Sequence, residues 1–445
     1  MERVLCFFIT LGCAKNEVDT DRMRALLLHA GYGMADSIED AQVVIINTCS
    51  FLATATSESI EATLTVAGIE GSPNKQRHII MCGCVPSRYG EELESELPEV
   101  AAFVPAQDED NIVEVVSSVI GVQRSAGIQD DVDMLRTIEG TSAYVKISDG
   151  CDRFCTFCAI PYIRGRYASR PANQIIDEVK NLMRGGVREI VLIGQDTGIW
   201  GQDFEDGHDL AWLLGQLSVV VRPYGGWLRV LYLQPEGMTE RLIATIRDTP
   251  EVLPYIDIPI QHCSRRVLDL MGRPGSRAEL KALFNRLRDE IPNMVLRSTG
   301  LVGFPTETDE EFEELLEFIQ EVEFDYTSVF AYSQEEGTIA AELDGQIDEE
   351  TKTERAQRLI DVTEQLGFSA TSQHVGEIVD VIIDGVENTD VGQELIGHAW
   401  FQAPDCDGSV HIAFGEARVG DVVTCKLVDS FCYELVGEII NNDEG

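Results

Sequence analysis

Cys151-Asp152-Arg153-Phe154-Cys155-Thr156-Phe157-Cys158 puts three thiols into one short loop, in a C-x3-C-x2-C spacing. Three such cysteines can hold three irons of a cubane iron–sulfur cluster and leave the fourth iron without a protein ligand. A pure electron carrier normally fills all four positions with thiolate. An open corner therefore belongs to a site where an outside molecule binds. The competing reading is three structural cysteines packed in one loop. It is disfavoured because clustered thiols in a reducing compartment rarely lack a metal or redox task.

For this spacing the molecule at the open corner is expected to be S-adenosylmethionine, chelated through its amino and carboxylate groups. One electron from the reduced cluster breaks a sulfur–carbon bond and yields a 5′-deoxyadenosyl radical. That radical takes hydrogen from an unactivated carbon, which no acid or base side chain can do. The cofactor does the hard step, and the protein orients it and excludes water.

A chain of 445 residues is too long for one small core, so two to four domains are expected. Its 44% hydrophobic and 25% charged content is ordinary for a soluble globular protein. No apolar run reaches the roughly 18–20 residues of a membrane span. Val4–Ile9 followed by Leu11-Gly12-Cys13 faintly resembles a lipoprotein signal. The run is shorter than the roughly 7–15 residues such a signal needs, and only Arg3 precedes it. A buried strand ending in a loop cysteine, in a cytoplasmic protein, is the better reading. Disulfides are not expected there. Metal ligation then accounts for some of the twelve cysteines, and small buried hydrophobes for the rest.

Residues 1–124 alternate strand-like and helical runs: Val4–Ile9, Asn16–Ala30, Val43–Ile46, Ala55–Ala67, His78–Met81, a helix after Pro86, Ala101–Val104 and Asp110–Ile120. Alternation of this kind predicts a doubly wound parallel sheet covered on both faces. Cys13, Cys49 and Cys84 each fall just past one of the first three strands. In such sheets the carboxyl ends of strands converge on the ligand crevice, so three thiols distant in sequence can meet. Cys82 rivals Cys84 but lies one strand period earlier, nearer the sheet interior. Singly each of these cysteines would read as a core residue; their shared placement points to a second cluster, again with one iron left open.

Ser125–Thr137 is polar and acidic and reads as a linker. The second domain, 137–371, offers six strands: Tyr144–Ile147, Glu189–Ile193, Leu228–Tyr232, Tyr255–Ile258, Val295–Gly303 and Phe324–Phe330. Helical runs at Gln174–Arg184, Leu210–Val220, Glu240–Arg247, Arg277–Glu290 and Glu310–Glu321 separate them. Six β-α repeats predict a partial barrel, whose site is built from the loops after the strands. The cysteine loop directly follows the first of these strands. Glu349–Gln365 reads as a surface helix or connector. The third domain, 372–445, shows five short runs at close spacing, Ile378–Ile383, Leu395–Trp400, Val410–Phe414, Val422–Val428 and Tyr433–Ile440, which predict a small antiparallel β-barrel.

Four further residues are candidates for contact with the cofactor. Phe157 is placed to cover a flat ring, or is an ordinary core aromatic. Gln195 and Asp196 end the second strand of the barrel, where a polar pair can grip the methionine end of the cofactor or simply shape a turn. Arg297 can reach a carboxylate through two nitrogens, or be a partnered core arginine. His262 reads as a satisfied loop histidine before it reads as a proton carrier. Arg164, Arg166 and Arg170 follow the cysteine loop and face an acidic substrate group or local carboxylates. No residue is singled out as the acid or base of catalysis.

Leu11-Gly12-Cys13, Asn47-Thr48-Cys49, Gly83-Cys84 and the cysteine loop continuing into Ala159-Ile160-Pro161 resemble the radical S-adenosylmethionine methylthiotransferases over nearly the full chain. That family implies an N-terminal methylthiotransferase domain, a radical core and a C-terminal TRAM barrel. Its MiaB-type branch modifies an adenosine in tRNA. Its RimO-type branch methylthiolates the β-carbon of an aspartate in small-subunit ribosomal protein twelve. Gln195-Asp196, Leu231-Tyr232-Leu233-Gln234-Pro235, Asp257-Ile258-Pro259-Ile260-Gln261-His262, Gly303-Phe304-Pro305 and Ala403-Pro404-Asp405-Cys406-Asp407-Gly408 are similar to the RimO type. Thr306 departs from it, replacing a usual glycine. The resemblance implies two 4Fe-4S clusters and S-adenosylmethionine, one molecule giving a methyl group to cluster-held sulfur and a second being cleaved reductively.

Charge supports the same branch. The net charge is −43, and from Ser372 onward two basic residues, Arg418 and Lys426, stand against fifteen acidic ones. A barrel that bound RNA would need the opposite balance, whereas a cationic ribosomal protein would be steered toward this one. An acidic host proteome gives the same overall sign. Expected partners are a basic small-subunit ribosomal protein, free or in the assembled subunit, and an electron donor, with neither membrane nor direct nucleic-acid binding. A tRNA-modifying enzyme is the nearest alternative, and a non-catalytic iron–sulfur carrier the alternative of another class.

Overall fold

The computed structural model describes residues 3–69, 77–90, 92–122, 136–137, 140–389, 392–413 and 415–440. Most of the linker read at 125–137 lies outside the described residues. The chain forms two compact units, the first from Met1–Thr137, Ser148–Glu178 and Glu335–Thr338, the second from Ile138–Ile147, Val179–Gln334 and Ile339–Gly445.

The first unit opens with β1 (Leu5–Thr10), α1 (Ala14–His29), β2 (Gly33–Met34), β3 (Val43–Thr48), α2 (Ala53–Gly68), β4 (His78–Gly83), α3 (Cys84–Tyr89), α4 (Glu92–Glu96), β5 (Val100–Pro105) and α5 (Ile112–Ile120). The sheet is parallel throughout, in the order β2-β1-β3-β4-β5. Val43-Val44-Ile45-Ile46 is apolar without alternation because both faces of β3 are covered. Ile45, Ile80 and Cys82 face Leu27 and Val113, while Val44, Ile46 and Met81 face Val66 and Leu93. The expected double winding is present. The two-residue edge strand β2 is additional, and it creates a reversal of strand order between β1 and β3. The helix expected after Pro86 begins earlier, at Cys84. Proline is tolerated in that first turn because its missing N–H would have no partner within the helix.

After β6 (Ser142–Lys146), the stretch Ser148–Glu178 packs with the first unit. It carries β7 (Ser148–Asp149), α6 (Ile160–Ile163), β8 (Ala168–Ser169) and the start of α7 (Ala172–Arg184), with β7 and β8 paired as an antiparallel ribbon. The second unit continues with β9 (Glu189–Ile193), α8 (Leu210–Val221), β10 (Trp227–Val230), α9 (Glu240–Asp248), β11 (Val252–Asp257), α10 (Arg265–Leu270), α11 (Arg277–Glu290), β12 (Val295–Val302), α12 (Asp309–Val322), β13 (Tyr326–Ala331) and α13 (Glu349–Gln373). β6, β9, β10, β11, β12 and β13 form a six-stranded parallel sheet in chain order, the partial barrel that the repeats predicted.

The surface helix or connector expected here is α13; it does connect β13 to β14, but it is not confined to the surface. It buries Leu359, Thr363, Gly367 and Thr371, and it packs along β12 and β13. Small residues let it come close: a Cβ on Gly367 would run into the Tyr433 ring. Few large apolar residues were needed, so its sequence looked like that of a surface helix.

β14 (Ile378–Thr389), β15 (Gly392–Ala399), β16 (Val410–Ile412), β17 (Val422–Phe431) and β18 (Glu434–Ile439) close into a barrel. Its ladders are antiparallel except for β16 against β18, which is parallel. The barrel meets side chains of the six strands. Asp407 accepts hydrogen bonds from the Tyr255 hydroxyl, the Arg297 guanidinium and the Ala403 N–H. Glu189, the first residue of β9, is paired with Arg229 at 2.6 Å and with His398 at 2.5 Å. Tyr144 donates to the Pro404 carbonyl at 3.1 Å. Among the described residues no helix is long and apolar enough to cross a membrane.

Candidate metal centre

Cys13 is the N-cap of α1, Cys49 follows β3 directly, and Cys84 is the first residue of α3 directly after β4. β1 and β3 flank the reversal of strand order, where doubly wound sheets bind their ligands. The loops after them touch. A Cβ on Gly12, whose φ is +109°, would stand 2.7 Å from the Cys49 Cβ and 3.2 Å from its Sγ, so glycine is required there.

A buried polar frame holds the three loops. The Cys13 thiol donates to Asn16 Oδ1 at 3.4 Å. Asn16 Nδ2 donates to Asn47 Oδ1 and to the Thr48 carbonyl, both at 3.0 Å, and Asn47 Nδ2 donates back to the Asn16 carbonyl at 3.0 Å. Thr48 Oγ1 donates to the Cys82 carbonyl at 2.6 Å and accepts from Val85 N–H at 3.2 Å, fixing the start of α3. Ser59 accepts from Cys49 N–H at 3.2 Å and donates to the Cys49 carbonyl at 3.0 Å. Arg88 reaches from α3 to the Ser50 carbonyl at 2.8 Å and to Glu335 at 3.0 Å. The polar residues of Asn47-Thr48-Cys49 are thus structural members of this frame. Asn16, Ser59 and Arg88 gave no signal in the sequence because their partners lie in other elements.

Cys13 is exposed, Cys49 half-buried and Cys84 buried. Burial pushes the Cys84 thiol up to about 11, the Arg164 guanidinium pulls it the other way, and Cys49 and Cys13 push it further up. Burial also raises Cys49, with Cys13 adding to the rise. The three thiols are therefore electrostatic neighbours. Cys82 is separate: it is fully enclosed among Ile45, Ile80 and Val104, and burial holds its thiol well above the usual range.

Cys151, Cys155 and Cys158 are each half-buried in the same unit. Cys151 N–H donates to the Gly165 carbonyl at 3.2 Å, and Cys158 N–H to the Cys155 carbonyl at 3.0 Å, which closes the loop on itself. Gly150, at φ +69°, leaves no room for a Cβ beside the Arg166 backbone. Phe157 is half-buried in this loop. After it Ala159 and Ile163 cluster with Cys84. Among the described residues no three His, Cys, Asp or Glu side chains converge on a single ion. A cubane does not require such convergence, since each thiolate takes its own iron.

Two of the three arginines after the loop pair with local carboxylates, Arg166 with Asp152 at 2.9 Å and Arg170 with Glu178 at 2.7 Å, and Arg164 pairs with the distant Asp19 at 2.7 Å.

In the second unit Gln195 and Asp196 lie just past the carboxyl end of β9, Gln195 half-buried and Asp196 fully buried. Thr197 joins that end to the next strand through its N–H to the Tyr232 carbonyl at 3.1 Å and its hydroxyl to the Leu231 carbonyl at 2.7 Å. Arg297 is not brought to this end. It is the third residue of β12, and its guanidinium is engaged by Asp407, by Ser328 Oγ at 2.9 Å and by Asp257 at 3.9 Å. The partnered core arginine is the reading that fits, because the amino end of a barrel strand serves stability. His262 is fully buried, its Nδ1 accepts from Ser264 N–H at 2.9 Å, and burial pulls it down to about 4. Among the described residues its Nε2 has no hydrogen-bond partner, the Glu307 carboxylate lying 3.8 Å away. Thr306, which stands where the resembling family has glycine, has φ +68°. That conformation accounts for the glycine preference.

Three family models match the chain: an uncharacterized protein family (UPF0004) over residues 5–105, the radical SAM superfamily over 145–319 and the TRAM domain over 375–440. The fold is similar to that of the radical S-adenosylmethionine methyltransferase TsrM from Kitasatospora setae, with a TM-score of 0.55 at 13% identity over 74% of this chain and 72% of that one. Fold and loop define a radical SAM enzyme. The chain is 38% identical to the ribosomal protein uS12 methylthiotransferase RimO of Trichlorobacter lovleyi over 97% of each chain. It is 39% identical to that of Geobacter sulfurreducens over 97% of this chain and 98% of the relative. The RimO protein of Symbiobacterium thermophilum is 39% identical over 97% of this chain and 90% of its own. The chain belongs to the RimO family of radical SAM methylthiotransferases.

Proposed function

We propose that this enzyme adds a methylthio group to the β-carbon of an aspartate in ribosomal protein uS12. The observation that supports the reading is the placement of Cys13, Cys49 and Cys84 just past three neighbouring strand ends, in the unit that also holds the Cys151–Cys158 loop. The donor set fits two 4Fe-4S clusters: three thiols in each set, and beside the most buried of them a guanidinium, the group that offsets a buried thiolate. Cys13, Cys49 and Cys84 would hold one cluster, and Cys151, Cys155 and Cys158 the other. With S-adenosylmethionine bound, these groups supply a carbon radical and an activated sulfur.

The chain's own residues bind and orient. Phe157 would cover a flat ring, and Gln195 and Asp196 would grip the methionine end of S-adenosylmethionine. Domains at 1–124, 137–371 and 372–445 divide the work into sulfur site, radical core and substrate barrel. The acidic barrel steers a basic protein and repels bare phosphate. An electron donor reduces the enzyme, in the cytoplasm.

Anaerobically reconstituted enzyme, incubated with purified uS12, assembled small subunits or tRNA, tests the reading by mass analysis. A methylthio gain on an aspartate of uS12, free or in the subunit, is expected. A gain on tRNA adenosine alone would select the MiaB-type reaction. No cleavage of S-adenosylmethionine by the reduced protein would leave an electron carrier.

A further inference from the structure

Arg164 is 5% exposed and makes three contacts that no single role in folding requires. Its Nη1 lies 2.7 Å from Asp19 Oδ2 and 3.5 Å from Asp149 Oδ2. Its Nη2 donates to Cys84 Sγ at 3.7 Å. Asp19 is on α1, the helix that Cys13 caps, and Asp149 lies in β7, two residues before Cys151. One guanidinium thus touches a thiol of the first trio, the helix leading from another, and the strand leading into the second trio. A buried cation is stable only when paired, and the two carboxylates supply that pairing. The contact to sulfur is additional. It uses the planar fork of arginine, which lysine cannot reproduce as a point charge.

We propose that Arg164 is a positioning residue that holds the Cys84 thiolate by an N–H···S hydrogen bond and raises the reduction potential of the cluster bound there. The proposal rests on the reading that Cys84 is a ligand. Hydrogen bonds to ligating sulfur draw charge from the cluster and stabilise its reduced form. Loss of the bond lowers the potential and strengthens the iron–sulfur bond. Loss of the carboxylate pairing alone does neither.

The test uses the full chain carrying Cys151→Ala, Cys155→Ala and Cys158→Ala, so that only the first cluster is read. Potentiometry followed by electron paramagnetic resonance, with resonance Raman of the Fe–S(Cys) stretch, compares this parent with Arg164→Met, Arg164→Lys and Asp19→Asn. A potential shifted negative and a stretch shifted upward are expected for Arg164→Met, smaller shifts for Arg164→Lys, and for Asp19→Asn no negative shift of potential and a near-parent stretch. Parent-like values in a loaded Arg164→Met would overturn the proposal, as would an Asp19→Asn shift equal to that of Arg164→Met. If Arg164→Met loads no iron, the lysine variant decides by the same two readouts. Iron lost from both, with Asp19→Asn still loaded, supports the positioning role. Failure of the underlying reading is seen separately: Cys84→Ala in this parent would then keep its cluster.

Discussion

Side chains just past the carboxyl ends of the parallel strands and polar side chains within the strands are placed differently. At carboxyl ends stand Cys13, Cys49 and Cys84 in the first sheet and Gln195 and Asp196 in the second. Their loops are shaped by glycines with no space for a Cβ and by polar frames such as Asn16–Asn47. Within the six strands of the second unit stand Glu189, Arg229, Tyr255 and Arg297, and each is spent on another residue of its own unit. Side chains past the strand ends frame the loops there, and those within the strands pair with each other and with the C-terminal barrel. An arginine in a strand therefore carries no functional meaning until its partners are known.

The sharpest way to break this contrast is the pair Cys84 and Cys82. Cys84→Ala should remove one cluster's iron, while Cys82→Ala should keep all the iron and cost roughly 1–3 kcal/mol by chemical denaturation, as a core truncation. Iron loss from Cys82→Ala with Cys84→Ala intact would reverse the assignment.

Next in size are Arg297→Met and Asp407→Asn. Each leaves a buried charge or dipole without its partner and should cost roughly 3 kcal/mol of stability. The affinity of the folded protein for S-adenosylmethionine, by calorimetry, should hold. A tenfold weakening without loss of stability would return Arg297 to the cofactor site.

A pH prediction follows from His398. Burial alone would pull this histidine down, but Glu189 and Asp384 override it and hold it at about 9. The folded value is above that of the unfolded chain. The added stability is therefore complete below about pH 6.5 and fades as pH rises through about 9. The loss should amount to about 3 kcal/mol at most, and His398→Gln should flatten the profile. An unchanged profile in His398→Gln would show that the triad is not the titrating element.

The smallest effect belongs to Thr306→Gly. Relief of the left-handed conformation should add less than about 1 kcal/mol, because the substitution also removes the 3.1 Å hydrogen bond from Arg266 to Thr306 Oγ1. A large destabilisation would mean that the threonine side chain outweighs its backbone.

Much of this was legible in the sequence, and for physical reasons. The unbroken apolar run of β3 can only be a strand covered on both faces, and the strand period alone separated Cys84 from Cys82. The six strands of the second unit announced themselves through regular alternation with helices. What stayed hidden depended on partners far away in the chain. Arg297 finds Asp407 across 110 positions, and Arg164 finds Asp19 across 145. β2 has two residues, too few to show a period. α13 is buried through small residues, which carry little hydrophobic signal.

Iron counting with Mössbauer spectroscopy tests the central claim of two separate three-thiol sites. The anaerobically reconstituted chain should hold about eight irons as two cubanes, and about four after either trio is replaced by alanine. A parent with about four irons, or a Cys13, Cys49 and Cys84 triple variant that still holds about eight, would contradict it.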